Sequence, residues 1–105
     1  MAQAQAQKIL VVDDEQSISD LIATSLRFVG FDVQTAANGS EALTVAEEFR
    51  PDALVLDVMM PGMDGFEVCR RIKQQPETRD IPVIFVTALA EAADEARGWS
   101  ANCRR

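Results

Sequence analysis

Histidine is absent from this 105-residue sequence, and cysteine occurs only twice. Without histidine the chain cannot build a Ser-His-Asp triad or a His-ligated zinc site, and it cannot itself carry phosphohistidine. The two cysteines, Cys69 and Cys103, are too few for a disulfide framework and match no zinc spacing. The cysteine count therefore favours a reducing compartment.

Basic residues are also scarce: ten Lys and Arg stand against seventeen Asp and Glu, so the formal net charge is −7. No basic face remains to bind a nucleic-acid backbone or an anionic membrane, and we expect any DNA contact to be made by a partner. No apolar stretch approaches the roughly 20 residues of a membrane span, and residues 1–7 lack the features of a signal peptide. We expect one cytoplasmic domain with a disordered tail at residues 1–7.

Short apolar runs alternate with helical patterns along the chain. Strands are expected at Ile9–Val12, Asp32–Ala37, Ala53–Asp57 and Ile81–Thr87. Helices are expected at Gln16–Val29, at Ser40–Phe49, after Asp64, and at Ala88–Arg97. This alternation predicts an α/β fold with a doubly wound parallel sheet and right-handed crossovers.

Apolar spacing also predicts which helix faces are buried. The first helix is expected to bury Ile18, Leu21, Ile22, Leu26 and Val29. Gly30 follows where a left-handed cap would end that helix. In the third helix, Asp64 and Glu67 have the spacing of a capping box. Its buried stripe is expected to be Gly65, Val68, Cys69 and Ile72.

Polar side chains stand where three of the predicted strands end. Asp13 and Asp14 follow strand one, Asp57 ends strand three, and Thr87 ends strand four. Because the carboxyl ends of parallel strands meet at one edge of the sheet, we expect these groups to converge. Two close carboxylates repel by on the order of 4 kcal/mol at an effective dielectric of about 20, so a proton or a divalent cation must lie among them.

Oxygen ligands of this kind favour a hard ion, and Mg²⁺ typically takes one or two carboxylates and completes its shell with water and phosphate oxygens. The edge is therefore predicted to be a Mg²⁺ site for phosphoryl chemistry. Asp57 is expected to be the nucleophile, and the Thr87 hydroxyl is expected to donate to a phosphoryl oxygen.

The residues that carry these predictions resemble a response-regulator receiver domain, the phosphoacceptor half of two-component signalling. The matching segments are Ile9–Glu15, Asn38–Leu43, Pro51–Gly65 and Ile81–Ala88. The resemblance implies a flavodoxin-like receiver fold with strand order 2-1-3-4 and a fifth strand appended.

The resemblance also implies that Asp57 accepts its phosphoryl group from a sensor histidine kinase or a histidine phosphotransfer protein. It implies that Asp14 and Asp57 bind Mg²⁺ directly, together with the backbone carbonyl of Met59, and that Asp13 assists through water. Such a module is not an enzyme beyond catalysing its own phosphotransfer and dephosphorylation.

One family feature has no counterpart, because the lysine that ends the fifth strand is missing. Lys8 and Lys73 are the only lysines, and both are expected to lie far from Asp57. We therefore expect residues 8–97 to form a receiver domain without its fifth strand and helix. Residues 98–105 are expected to be a non-family tail produced by truncation or a frame shift. The uncovered edge of strand four predicts self-association.

Two other functions stay open at this point. An aspartate-nucleophile phosphatase of the haloacid dehalogenase type also places a carboxylate beside Mg²⁺, although it needs a second acid where this chain has Met59. The other alternative is a truncated, non-switching receiver-like fragment that serves only as a binding or structural unit. Phosphorylation of Asp57 by acetyl phosphate would distinguish this fragment from a phosphoacceptor.

Overall fold

A computed structural model describes residues 6–86 of the chain. Within them, four strands alternate with three helices: β1 (Lys8–Val12), α1 (Gln16–Phe28), β2 (Asp32–Ala36), α2 (Gly39–Phe49), β3 (Ala53–Asp57), α3 (Gly65–Gln74) and β4 (Val83–Val86). All strand pairs are parallel, and the sheet order is β2-β1-β3-β4. The α/β fold class and the strand order expected from the sequence are confirmed.

The sheet is covered by helices on both faces, and each face has its own core. On one face α2 and α3 pack against Leu10, Leu54 and Leu56, which are wholly buried. On the other face α1 packs against Val11 and its neighbours. Burying a Leu side chain contributes about 1.5–3 kcal/mol, so these two layers hold the strand ends in fixed positions.

The buried face of α1 differs from the expected stripe. Ser19 and Ala23 are its fully buried residues, and Ile22 and Leu26 pack partly against the core as expected. The small side chains of Ser19 and Ala23 let the helix lie close to the sheet. The prediction was wrong for three larger residues, because the exposed fractions are 39% for Ile18, 64% for Leu21 and 66% for Val29.

The helix ends follow local chemistry that the sequence partly indicates. Gly30 has a φ of 109°, the left-handed conformation expected at the end of α1. Asp64 caps α3 by accepting from the Glu67 N–H at 2.9 Å. The Glu67 carboxylate does not complete a capping box, because it pairs with Arg70 and Arg71 on the same helix. The predicted buried stripe of α3 is confirmed at all four positions.

Strand β4 begins at Val83, two residues later than expected. Pro82 contributes only its carbonyl, which accepts from the Leu54 N–H at 3.0 Å, because proline has no N–H to donate. The predicted end of this strand at Thr87, the predicted helix at Ala88–Arg97 and the predicted tail at residues 98–105 lie outside the described residues.

The amino ends of the strands form the amino edge of the sheet, where basic groups are bonded to the chain. The Lys73 ammonium donates to the carbonyls of Ile81 at 2.6 Å and Arg79 at 3.0 Å. The Arg27 guanidinium donates to the Val33 carbonyl at 2.8 Å. The Lys8 ammonium lies 5.4 Å from the centre of the Phe49 ring. None of the helices in residues 6–86 is long and apolar enough to cross a bilayer.

Candidate metal centre

Two neighbouring strands deliver acidic side chains to the opposite end of the sheet, which we name the carboxyl edge. The register pairs Val12 of β1 with Leu56 of β3, so Asp13 and Asp57 follow paired positions. Asp14 comes next on the first strand's loop. Asp13, Asp14 and Asp57 each offer a carboxylate oxygen, and these oxygens all lie within 4.8 Å of one another. The structure thus brings together the three carboxylates that the sequence places at strand ends.

Backbone amides hold two of these carboxylates in place. Asp13 is only 7% exposed, and its Oδ1 accepts from the Glu15 N–H at 2.9 Å. Asp57 is partly buried, and its Oδ1 accepts from the Met59 N–H at 3.3 Å. Asp14 is exposed. Each ionised carboxylate has about four lone-pair sites, so one amide contact leaves oxygen capacity for a cation.

Within residues 6–86, no basic side chain pairs with the carboxylates at the carboxyl edge. Burial raises the pKa of Asp57, and the negative charges of Asp13 and Asp14 together with a side-chain contact to Asp13 raise it further. The Met59 amide acts in the opposite direction. The ion pairs found within residues 6–86 both join Glu67 to arginines of α3. This part of the chain therefore concentrates negative charge that an external cation would neutralise.

The donor set fits Mg²⁺. The ligands are hard carboxylate oxygens from two rigid strand ends, and Mg²⁺ prefers oxygen ligands, of which proteins usually supply only a few. Met59 contributes its N–H to Asp57, whereas the role of its carbonyl as a metal ligand stays a prediction. Thr87 lies outside the described residues, so its predicted hydrogen bond also stays a prediction.

Gly65 is a site residue that the sequence analysis assigned only to the buried stripe of α3. A Cβ atom at this position would lie 2.4 Å from the backbone oxygen of Asp57 and 2.9 Å from the Val58 Cα. The Gly65 N–H donates to the Val58 carbonyl at 3.0 Å. The start of α3 can therefore approach the end of β3 closely only without a side chain, and a glycine directly after the cap Asp64 was the available signal.

The loop after Asp57 presents apolar surface next to the acids. Met60 is buried in the core and Met63 packs against it, whereas Met59 is 69% exposed. Phe66 at the start of α3 meets Phe85 of β4 edge to face, with 5.0 Å between ring centres. A cleft of about 470 Å³ opens here, lined by Val58, Met59, Met60, Pro61, Asp64 and Phe66. The lining of this open cleft therefore includes Val58 and Met59, the two residues that directly follow Asp57.

Both lysines lie away from the carboxyl edge, as expected. Lys8 begins β1 and pairs in register with Asp32, the first residue of β2. The Lys73 ammonium bonds the chain just before β4. Neither lysine can pair with a group held at Asp57.

Comparison with known families identifies this arrangement. The family model described as the response regulator receiver domain matches residues 9–104. The chain belongs to the response regulator receiver domain family. The resemblance inferred from the sequence is therefore confirmed.

Relatives of this receiver domain include longer regulators. The chain is 40% identical over 95 residues to the DNA-binding dual master transcriptional regulator RpaA of Synechocystis sp., covering 90% of this chain and 39% of the relative. It is 45% identical to the phosphate regulon transcriptional regulatory protein PhoB of Rhizobium meliloti, covering 87% of this chain and 40% of that protein. The chain thus spans about two fifths of the length of these curated relatives.

A solved structure confirms the fold. The chemotaxis protein CheY4 of Vibrio cholerae superposes with a TM-score of 0.82 at 34% identity, covering 90% of this chain and 78% of that one. The flavodoxin-like order of the sheet is therefore shared with a CheY-like protein.

Proposed function

We propose that this receiver domain accepts a phosphoryl group on Asp57 in a Mg²⁺-dependent reaction. The observation that carries the proposal is the cluster of three carboxylates, whose oxygens lie within 4.8 Å of one another and have no basic partner in residues 6–86. Burial of Asp13 adds to the cost of leaving this charge unpaired. A stable site of this kind requires a cation, and phosphoryl transfer uses one.

In the proposed step, a carboxylate oxygen of Asp57 attacks the phosphorus of a phosphohistidine. The bond between phosphorus and oxygen forms while the bond between phosphorus and the imidazole nitrogen breaks, and the electron pair stays on that nitrogen. Asp13, Asp14 and Asp57, with the Met59 carbonyl, would hold Mg²⁺. When bound, this ion supplies positive charge that stabilises the phosphoryl oxygens.

Two residues orient the groups around Asp57 in this proposal. The Met59 N–H already donates to Asp57 Oδ1 and so fixes the direction of the carboxylate. Thr87 directly follows Val86, the residue of β4 that is in register with Asp57. We assign its hydroxyl the role of donating a hydrogen bond to a phosphoryl oxygen.

The donor is proposed to be a sensor histidine kinase or a histidine phosphotransfer protein, because this chain has no histidine. Contact with nucleic acid is assigned to other parts of such systems, since the net charge of this chain is −7 and it spans only 39% of the DNA-binding relative RpaA. We place the reaction in the cytoplasm, where phosphohistidine kinases deliver their phosphoryl group.

The test is phosphorylation by a small donor, acetyl phosphate, followed by intact-protein mass spectrometry. We expect the wild-type chain to gain the mass of one phosphoryl group with Mg²⁺ and none with EDTA. Asp57→Asn should gain nothing. Asp32→Asn is a matched control, because Asp32 is an exposed aspartate at the amino edge, and it should be phosphorylated like the wild type.

Phosphorylation of Asp57→Asn, or equal phosphorylation in EDTA, would overturn the proposal. A folded wild-type chain that binds Mg²⁺ but never gains phosphate would instead support the alternative of a binding or structural unit that does not switch.

A further inference from the structure

We propose that Arg27 blocks the outer edge of β2, the side that faces away from β1, and so keeps a second copy of this chain from adding a strand there. Strand β2 stands at one end of the sheet, whose order is β2-β1-β3-β4. Within residues 6–86, β2 pairs with β1 alone. Strands in this position are templates for pairing with another chain, and natural proteins protect them. The inference does not depend on the phosphorylation chemistry.

Two hydrogen bonds show which backbone groups of β2 face outwards. The Asp32 N–H donates to the Gln7 carbonyl at 2.9 Å, next to the start of β1. At the other end of β2, the Ala36 carbonyl accepts from the first amide after β1 at 3.1 Å. Because backbone groups alternate in direction along a strand, Val33 and Thr35 direct their N–H and C=O groups away from β1. These two residues carry the groups that an added strand would use.

The Arg27 side chain occupies one of these outward groups. Arg27 lies in the last turn of α1, and its Nη2 donates to the Val33 carbonyl at 2.8 Å in a partly buried hydrogen bond. A bond with a charged donor is roughly twice as strong as a bond between neutral groups. The preceding residue, Leu26, packs against the core cluster that contains Val33. Packing of α1 therefore holds the guanidinium over the edge of β2.

This contact opposes pairing with a second β2 about a two-fold axis. In an antiparallel ladder, residues that exchange hydrogen bonds stand directly opposite each other. With the axis at Gln34, Val33 of each copy would face Thr35 of the other, and both pairs would use a Val33 carbonyl. An incoming N–H needs a position about 2.9 Å from that oxygen, close to the distance at which the Arg27 Nη2 already lies. The axis would also bring two guanidinium charges to one interface, where like charges repel.

The sequence of β2 offers little other protection. The strand reads Asp-Val-Gln-Thr-Ala, so Asp32 at its start is its single charged residue and it contains no proline. Thr35 is β-branched and suits a strand. Gln34 is exposed and uncharged, and it would stand opposite its own counterpart at the axis. Among residues 6–86, the protecting group that the structure places on this edge is therefore Arg27.

The test removes the guanidinium and measures association of the full chain by sedimentation equilibrium. Arg27→Ala frees the Val33 carbonyl, and we expect its association constant to exceed that of the wild type at least about tenfold, because both pairs of strand hydrogen bonds become available. Arg70→Ala is the matched control, since Arg70 is an exposed helix arginine on α3 that pairs with Glu67. It should associate like the wild type. Association through any other surface is common to all variants and cancels in the comparison.

A second substitution separates strand pairing from association of misfolded chains. Gln34→Lys changes an exposed side chain and places like charges opposite each other at the axis, which is unfavourable in a strand pair. Added to Arg27→Ala, it should return the association constant to near the wild-type value. In Arg27→Ala alone, exchange of the Thr35 amide should slow as protein concentration rises. The Gln34 amide, which faces β1, should be protected at every concentration.

Four results would each overturn the proposal. Arg27→Ala could associate no more strongly than the wild type, or Arg70→Ala could associate as strongly as Arg27→Ala. Gln34→Lys could leave the association of Arg27→Ala unchanged, or the Thr35 amide could exchange at a rate independent of concentration. In the last two cases, the chains associate through a surface other than the outer edge of β2.

Discussion

At the amino edge of the sheet, basic groups are bonded to the chain itself: Lys73 donates to two carbonyls and Arg27 to a third. At the carboxyl edge, carboxylate oxygens of Asp13, Asp14 and Asp57 lie within 4.8 Å of one another. They have no basic partner in residues 6–86. The same parallel sheet thus has one end where basic groups are bonded within the chain and one end where negative charges meet without a basic partner in residues 6–86. We propose that the first end contributes stability and that the second binds the cation.

The largest effect is expected where the carboxyl edge depends on close packing. Gly65→Ala would place a Cβ atom 2.4 Å from the Asp57 oxygen. Because that oxygen belongs to the backbone and cannot rotate away, we expect a loss of about 1–3 kcal/mol in the free energy of unfolding, together with weaker Mg²⁺ binding. Urea denaturation and a Mg²⁺ titration measure these two quantities.

Gly39→Ala provides the matched comparison for that variant. Its Cβ would lie 2.8 Å from the Met63 sulfur, 2.9 Å from the Met63 Cβ and 3.0 Å from a Val68 methyl group, all of them side-chain atoms rather than backbone. The loss should therefore be smaller than for Gly65→Ala. If Gly39→Ala loses as much unfolding free energy as Gly65→Ala or more, the close contact between α3 and β3 at Gly65 is not the more sensitive position.

Lys73→Met tests the amino edge. The variant removes two hydrogen bonds and leaves the carbonyls of Ile81 and Arg79 without this donor, and we expect a loss of about 2 kcal/mol in urea denaturation. Mg²⁺ binding should stay unchanged, because this end of the sheet lies away from the acids. A large change in Mg²⁺ affinity would show that the two edges do not act separately.

The same lysine makes a prediction about pH. Burial lowers the pKa of Lys73 below its usual value of 10.5, while Asp80 opposes this shift. The native state therefore loses this proton more readily than the unfolded state does. The free energy of unfolding should rise as pH increases from the lowered native pKa towards the unfolded value. Lys73→Met should remove this rise, and an unchanged pH profile would contradict the assignment.

At the carboxyl edge, Asp13→Asn should raise the free energy of unfolding rather than lower it. The amide oxygen can still accept from the Glu15 N–H, while one of three repelling charges disappears. In EDTA we expect a gain of about 1–2 kcal/mol in the free energy of unfolding. The wild type should be stabilised further by Mg²⁺, by about 2.7 kcal/mol at 100 times its Kd, whereas the variant should respond much less. If Asp13→Asn is less stable than the wild type in EDTA, repulsion among the three carboxylates does not destabilise the folded state.

A smaller effect is expected at a helix cap of the carboxyl edge. Asn38 caps α2 by accepting from the Glu41 N–H, and the Glu41 carboxylate accepts from the Ala37 N–H. Asn38→Ala should cost about 1 kcal/mol. Asn38→Ser keeps a side-chain acceptor, so its unfolding free energy, measured in the same thermal or urea melt, should be close to that of the wild type. If both variants lose the same amount, the cap contributes through something other than its side-chain oxygen.

The strands could be predicted from the sequence because their signal is local. The run Ile9–Val12 is apolar, mostly β-branched and followed by acids, and its four residues are all buried. The convergence of Asp13, Asp14 and Asp57 then follows from parallel topology alone. The stripe of α3 was equally predictable, because its apolar residues repeat with a helical period and have no competing face.

Features that depend on tertiary contacts could not be predicted in this way. In α1, Leu21 and Ala23 both fit an apolar period, but only the distance between helix and sheet decides that the small residue is buried. The Glu67 carboxylate could pair either with the backbone N–H at the helix cap or with the arginines of α3, and it pairs with the arginines. Likewise, the closeness of Gly65 to Asp57 is visible only once α3 and β3 are placed together.

We propose that three carboxylates at one sheet edge hold one divalent cation. Mn²⁺, a paramagnetic substitute for Mg²⁺, tests it through selective broadening of amide NMR signals. We predict saturable broadening at a single site centred on Asp13, Asp14, Asp57 and Met59, displaced by excess Mg²⁺, with sharp signals for Lys8 and Asp52 at the amino edge. Broadening spread evenly over the acidic surface, or unchanged in Asp57→Asn, would contradict the account.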